Sequence, residues 1–257
     1  MAMDINKQIK NNVATVQTVN YYKDIKKLAL NSNNLERFCQ ILGELKGRAF
    51  VENILQASYN SKLKFCNPNS VILCGLAIAT TGLSLVPALG QSCIVPYKDN
   101  AQAQIMYRGF IELANRTQKL ERINVSEVRE GDIEGIDPFK GEIILKTYDY
   151  NGYIERKKRA YIGNMAYIKY LSGGEYFKYM TVEEIKAHAQ RYSQSYRNKN
   201  GLWVTDFEMM ANKTVAKSLL NLYGPKTESM ENAIKYDFST PMNENLTDLE
   251  YLDGTNE

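Results

Sequence analysis

Residues 70–83 read SVILCGLAIATTGL, a stretch without a charged side chain and apolar on almost every helical face. A helix of this kind cannot lie on a surface with one side in water; it has to be packed all round. Whatever fold the chain adopts must therefore supply neighbours on every side of this segment. Asn67-Pro68 suits its start, with Asn67 as cap and Pro68 in the first turn, and Gly82 suits its end. The small residues Gly75, Ala77 and Ala79 would let another backbone come close. At 257 residues the chain can bury such an element within one large domain or two small ones.

The flanking segments change period. Ile25, Leu28, Leu35, Phe38, Leu42, Leu45, Phe50, Ile54 and Leu55 follow helical spacing over residues 21–59, with Gly43 and Gly47 as candidate breaks. QSCIVPY and AQAQIMY are strand-like runs joined by Lys98-Asp99-Asn100, which is turn chemistry and predicts a β-hairpin. RGFIELANRTQ returns to helical spacing through Phe110, Ile111 and Ala114. ERINVSEVRE, EIILKTY, AYIGNMAYIKYL and GEYFKYM read as strands, separated by GDIEGIDP, DYNGY and SGG. Short glycine-bearing loops predict that the last three form an antiparallel meander. Thr181 and Glu184 make a capping box that starts a helix toward Arg191. WVTDFEMMANKTVAKSLLNLY is the last strong helix, with a core stripe of Phe207, Met210, Val215, Leu219 and Leu222 and a stop at Gly224-Pro225. This order predicts an α+β fold: a β-hairpin and helix, then an antiparallel three- to four-stranded sheet with packed helices. Residues 1–20 are expected to be weakly ordered, 21–236 to form the core, and 237–257 to be an acidic disordered tail.

Charge is distributed unevenly. From Glu228 onward there are eight acids and one base, Lys235, a net −7; residues 1–227 thus carry +10 within a total of +3. A basic body with an acidic end suggests a polyanionic partner. The four cysteines, Cys39, Cys66, Cys74 and Cys93, form no CxxC pair, and one histidine, His188, stands alone. That composition predicts reduced thiols and no zinc site. No apolar run is long enough for a membrane span, and MAMDINKQIKNNVATVQ lacks the apolar core of a secretory signal. The GxxxxGK[ST] phosphate cradle is missing, which argues against an ATP-driven recombinase or helicase. Glu130, Asp132, Glu134 and Asp137 cluster in sequence as metal-dependent phosphodiester hydrolysis would require, but Gly131, Gly135 and Pro138 make a solvated turn region the better reading.

Two regions have the composition of a nucleic-acid surface. In IVPYKDNAQAQIMYRGFIELANRT, strand alternation puts Gln102 and Gln104 on one face, opposite Ala103 and Ile105. Beside them stand Tyr97, Lys98, Tyr107 and Arg108, with Arg116 two turns further along the helix. Cations would hold phosphates, while amides and tyrosines meet sugars or bases without demanding a sequence. The second region interleaves Arg191, Tyr192, Tyr196, Arg197, Lys199 and Trp203, and Lys213 and Lys217 share a helix face four residues apart. Trp203 suits core packing as well as base stacking, and the lysines suit a solvated face. Arg156-Lys157-Lys158-Arg159 either touches DNA or guards a sheet edge.

The stretch IVPYKDNAQAQIMYRGFIELANRTQKLERINVSEVREGD resembles the RecT family of phage and prophage recombinases, as do TTGLSLVPALGQ before it and WVTDFEMMANKTVAKSLLNLYG near the end. Three blocks in the same order span roughly Leu35 to Ala233. The resemblance implies a protein that binds single-stranded DNA and anneals complementary strands without ATP, with magnesium at most a counterion of the DNA. It further implies rings or helical filaments of this chain, and work in a bacterial cytoplasm beside a dedicated exonuclease and the host single-strand binding protein. On that reading Lys98, Arg108, Arg116, Arg191, Arg197, Lys213 and Lys217 hold the backbone in a continuous groove. Tyr97, Gln102, Gln104 and Tyr107 lie beside it, and bases stay outward for pairing. The acidic tail either competes for the groove or engages a partner.

Overall fold

The structure is a computed structural model and describes residues 20–251 apart from 60, 138 and 200. Residues 1–19 of the stretch 1–20 expected to be weakly ordered, and the last residues, 252–257, lie outside the described part.

Three helices open the described part: α1 (Tyr22–Ala29), α2 (Ser32–Leu42) and α3 (Glu44–Tyr59). Gly43 breaks α2 from α3 in a left-handed conformation at φ +84°. Gly47 does not interrupt α3. A Cβ there would sit 2.7 Å from the Cys39 backbone, so this glycine instead lets α2 and α3 cross closely. The apolar segment forms α4 (Pro68–Thr81), with Asn67 accepting the Asn69 N–H and Gly82 closing it at φ +66°. It is enclosed as its composition requires: Val71, Cys74, Leu76, Ala77 and Ile78 are fully buried. Gly75 makes room for the Ile54 and Phe38 side chains.

The hairpin follows as β1 (Ser92–Tyr97) and β2 (Asn100–Ile105), then α5 (Tyr107–Arg116). Backbone groups of Ala101 tie β2 to α4, its N–H to the Ser70 hydroxyl at 2.9 Å and its carbonyl to the Cys74 thiol at 3.3 Å. Next come β3 (Leu120–Arg129), β4 (Ile133–Asp137), β5 (Glu142–Leu145), α6 (Tyr150–Arg156), β6 (Tyr161–Tyr170) and β7 (Glu175–Thr181). The fold is α+β with antiparallel sheets. The expected meander differs in one strand. β5 pairs with β4 in a separate two-stranded ribbon, and the middle sheet runs β3–β6–β7. The reason is length: β3 matches β6 from Leu120↔Tyr170 to Arg129↔Tyr161 and fills that edge. The DYNGY segment, read as a loop, starts α6, because the Asp149 side chain caps it by accepting the Gly152 N–H.

α7 (Val182–Tyr192) carries the capping box of Thr181 and Glu184. Short helices α8 (Gln194–Arg197) and α9 (Leu202–Thr205) lead to α10 (Phe207–Tyr223), separated from α9 by Asp206, which caps α10 through the Met209 N–H. α10 bridges the two halves. Asn212 on it bonds Asn164 of β6 at 2.8 Å, and its Lys217 reaches the Phe110 ring of α5. The stripe read for this helix holds at Met210, Val215 and Leu219, but Leu222 is exposed and Lys213 is buried.

The described residues end in α11 (Glu228–Tyr236), β8 (Ser239–Pro241) and β9 (Leu249–Tyr251). This corrects the expectation of a disordered tail from residue 237. β8 joins β2 at Ala103↔Ser239, giving the sheet order β1–β2–β8–β9, and Ser239 and Thr240 are fully buried. The open edge of β2 needed a partner for its backbone groups, and the tail supplies it.

Candidate nucleic-acid interface

The hairpin turn consists of Lys98 and Asp99, with Lys98 held left-handed at φ +51° by the tightness of a two-residue connection. The Asp99 carbonyl accepts the Asn67 N–H at 2.6 Å, which fixes the tip against the start of α4. The Lys98 ammonium is exposed, 5.5 Å from the Tyr97 ring centre. Tyr97, Gln102, Gln104, Met106 and Tyr107 extend from this tip along one side of an open cleft of about 490 Å³. Ser195, Asn198, Gly201, Leu202, Trp203, Met209 and Met210 form the opposite side, and Lys213 and Phe238 complete it. Segments about a hundred residues apart in sequence thus meet over one depression.

Trp203 is chiefly a core residue. It is 7% exposed and packs on Tyr196 and Phe207, with ring centres 5.6 and 5.7 Å away. Gln102 is also buried, its amide donating to the Phe238 carbonyl at 2.8 Å and accepting from Gln104 at 3.4 Å.

Asp237 enters from the C-terminal segment. Its carboxylate takes Lys213 at 2.9 Å on Oδ1 and Lys217 at 2.8 Å on Oδ2, and Oδ1 also accepts the Ile105 N–H at 3.0 Å. The Asp237 side chain is fully enclosed. Burial alone would raise its pKa, but the two lysines offset this and hold it below the ordinary carboxylate value. Burial pushes Lys213 below the ordinary lysine value, against the pull of Asp237. Lys213 and Lys217 are therefore not a solvated pair facing DNA. One carboxylate neutralises half of their charge, and Lys213 is buried under the Phe238 ring, 4.0 Å from its centre.

The remaining candidates separate. Arg108 is exposed at the start of α5, beside Gly90. Arg116 lies on the same helix, paired with Glu112 at 2.8 Å and donating to the Gly82 carbonyl at 3.0 Å. Arg197 donates to the Gln190 and Arg191 carbonyls at 3.1 and 3.0 Å and so closes the end of α7. Arg191 stands over the Tyr192 ring at 5.1 Å. None of these four, nor Lys217, lines the cleft. In the basic run, Arg156 turns inward to Asp132 and Glu127, while Lys157 and Lys158 stay exposed. Asp132 accepts Arg156, Tyr148 and the Arg129 N–H, and among the described residues no group of acids, histidines or cysteines is placed to hold a metal ion. His188 packs edge-on to Tyr192, its Nδ1 buried without a hydrogen-bond partner. Burial, with Lys217 and Arg191 nearby, lowers its pKa. All four cysteines are free thiols. No helix among the described residues is long and apolar enough to cross a membrane.

Sequence reasoning missed Asp237, Phe238 and the methionines of the cleft. The signal for Asp237 was an acid set between Tyr236 and Phe238, a pattern out of place in a solvated tail.

The model of the RecT family matches residues 49–245. The chain belongs to the RecT family. It is 31% identical over 238 residues to the uncharacterized protein YqaK of Bacillus subtilis strain 168, covering 90% of this chain and 80% of that protein. It is 30% identical over 199 residues to Protein RecT of Escherichia coli strain K12, covering 74% of this chain and 70% of that one. RecT membership places the chain among recombination and annealing proteins. The RecT match continues through Asp237 and β8, so the segment that closes the edge of β2 belongs to the family's common part and is no appendage.

Proposed function

We propose that this RecT-family protein binds single-stranded DNA and pairs complementary strands without ATP, acting by binding and not by bond-making. The observation that carries the reading is the convergence of the hairpin tip, with Tyr97 and the exposed Lys98, and the Ser195–Met210 region on one open cleft. Arg108 extends the positive character outside it at the start of α5. Cations at this surface neutralise phosphates, release counterions and lower the repulsion between two strands. Specificity then resides in Watson–Crick pairing between the strands. Side-by-side protomers of this chain would join their surfaces into a longer track, as a ring or helical filament on DNA, in the cytoplasm of a bacterial host. There an exonuclease would supply the strand and the host single-strand binding protein would be displaced. Any magnesium would act as a counterion of the DNA.

The test is strand pairing between two complementary labelled oligonucleotides, without ATP. Acceleration by the protein is expected. Retardation would make it a coating protein that protects single strands without annealing them. Cleavage of either strand in magnesium or manganese would remove the non-hydrolytic reading.

A further inference from the structure

The cleft is walled differently from a track for phosphates. Lys98 at the rim is the one exposed cation among its lining residues, and the other cation, Lys213, is buried against Asp237. No acid lines it. The walls are rings and thioethers, chiefly Tyr107, Phe238, Met106 and Met209. Among the described residues the Gln104 carbonyl oxygen and the Asn198 amide have no hydrogen-bond partner. Apolar walls with a few convergent polar groups, at about 490 Å³, are the makeup of a pocket for a small uncharged ring.

Phe238 is a second, independent observation. It holds a left-handed φ of +64°, a conformation that costs a bulky side chain free energy. Two hydrogen bonds hold its backbone: the Phe238 N–H donates to the Ala103 carbonyl at 2.9 Å, and its own carbonyl accepts from the Gln102 side-chain amide at 2.8 Å. The ring held this way lines the cleft, with the Lys213 ammonium 4.0 Å from its centre. The methionines adapt to rings of different outline, and amides offer both donor and acceptor.

We propose that this cleft is a nucleobase pocket that takes one unpaired base of the bound strand per protomer, with ring and thioether walls for its faces and the Gln104 and Asn198 amides for its edges. The pocket rests on the single-strand reading above and adds to it. The base taken in fixes the register of the strand on the protomer, while its neighbours stay outward to be tested by a second strand. Such a site tolerates any base, because every base has a π-face.

The experiment compares binding of an oligothymidylate with binding of an abasic deoxyribose-phosphate oligomer of the same length, to the full chain and to Phe238→Gly and Gln104→Leu. Glycine accepts the left-handed backbone, so the first variant deletes the ring without adding strain. The unaltered protein is expected to prefer the base-bearing strand by about tenfold. Each variant is expected to lose most of that preference with the salt dependence unchanged. Equal affinity of the unaltered protein for both strands would overturn the pocket and leave single-strand binding standing. Failure to bind either strand would overturn both. A second measurement needs no variant: 4-thiothymidine in the strand is expected to crosslink to peptides containing Met106–Tyr107 or Met209–Met210. Crosslinks confined to other parts of the chain would overturn the proposal.

Discussion

Two ionic clusters in this protein use similar residues to opposite ends. Around Asp237 one fully buried carboxylate serves two lysines from successive turns of α10, Lys213 buried and Lys217 partly exposed. Around Asp132 two carboxylates, Asp132 and Glu127, serve Arg156 and Arg129 at the foot of the β3–β6–β7 sheet, with partial access to water. The arginines there also hold backbone carbonyls, Arg156 that of Glu127 at 2.7 Å and Arg129 that of Arg159 at 2.8 Å. The second cluster is balanced and locally redundant. The first is unbalanced and has no spare acceptor for Lys213. A charge cluster therefore reports its role by burial and by how its charge is matched, and not by the residue types in it.

The sharpest way to break the comparison is Asp237→Asn, which leaves two lysines facing each other in a buried site. It is expected to lose about 3–5 kcal/mol of stability, read by urea unfolding. Replacing the charges together, as Lys213→Met with Asp237→Leu, should cost clearly less than Asp237→Asn alone. A double variant as unstable as the single one would show that packing and not charge holds the site. Next in size is Asp132→Asn, expected to cost about 1–3 kcal/mol because Arg156, Tyr148 and the Arg129 N–H keep partial partners. Acid should weaken both clusters. Both aspartates have folded pKa values below the ordinary carboxylate value, so their contribution is complete above that value and is lost as pH falls through the folded one. Stability followed against pH should fall in acid for the unaltered protein, and less steeply for Asp237→Asn. The smallest effect belongs to Lys217→Met, on the order of 1 kcal/mol, since that side chain is 30% exposed. Because Lys217 does not line the cleft, the salt dependence of DNA binding should not change. Lys98→Ala, by contrast, should reduce that slope by roughly 0.7.

Much of the fold was legible locally. The Asn67-Pro68 start, the stop at Gly82 and the capping box of Thr181 act over a few residues, and each appears where the sequence puts it; the turn read over Lys98-Asp99-Asn100 closes one residue shorter, with Asn100 already in β2. The misreadings share a cause. β4 is written in turn residues, IEGID, and becomes a strand only because β5 pairs with it. Lys213 and Lys217 have the spacing of a solvated helix face, and the partner that buries Lys213 lies 24 residues away. Within the candidate interface, alternation put Gln102 and Gln104 on one face correctly, but not the burial of Gln102 under Phe238. Arg191 and Arg197 looked like phosphate ligands by composition, yet Arg197 is taken by carbonyls at the end of its own helix.

By itself the sequence determined the α+β order of elements, the central buried helix, the hairpin and the membership that its blocks announce. Those features depend on periodicity and on short-range backbone preference, which are written in neighbouring residues. Only the tertiary structure decided which cations remain open to a ligand, that the acidic end closes a sheet edge, and that rings from Tyr107 and Phe238 face one cleft. A charge is neutralised, or a wall completed, by whatever folding brings near, and distance in space is the quantity that a linear pattern does not contain.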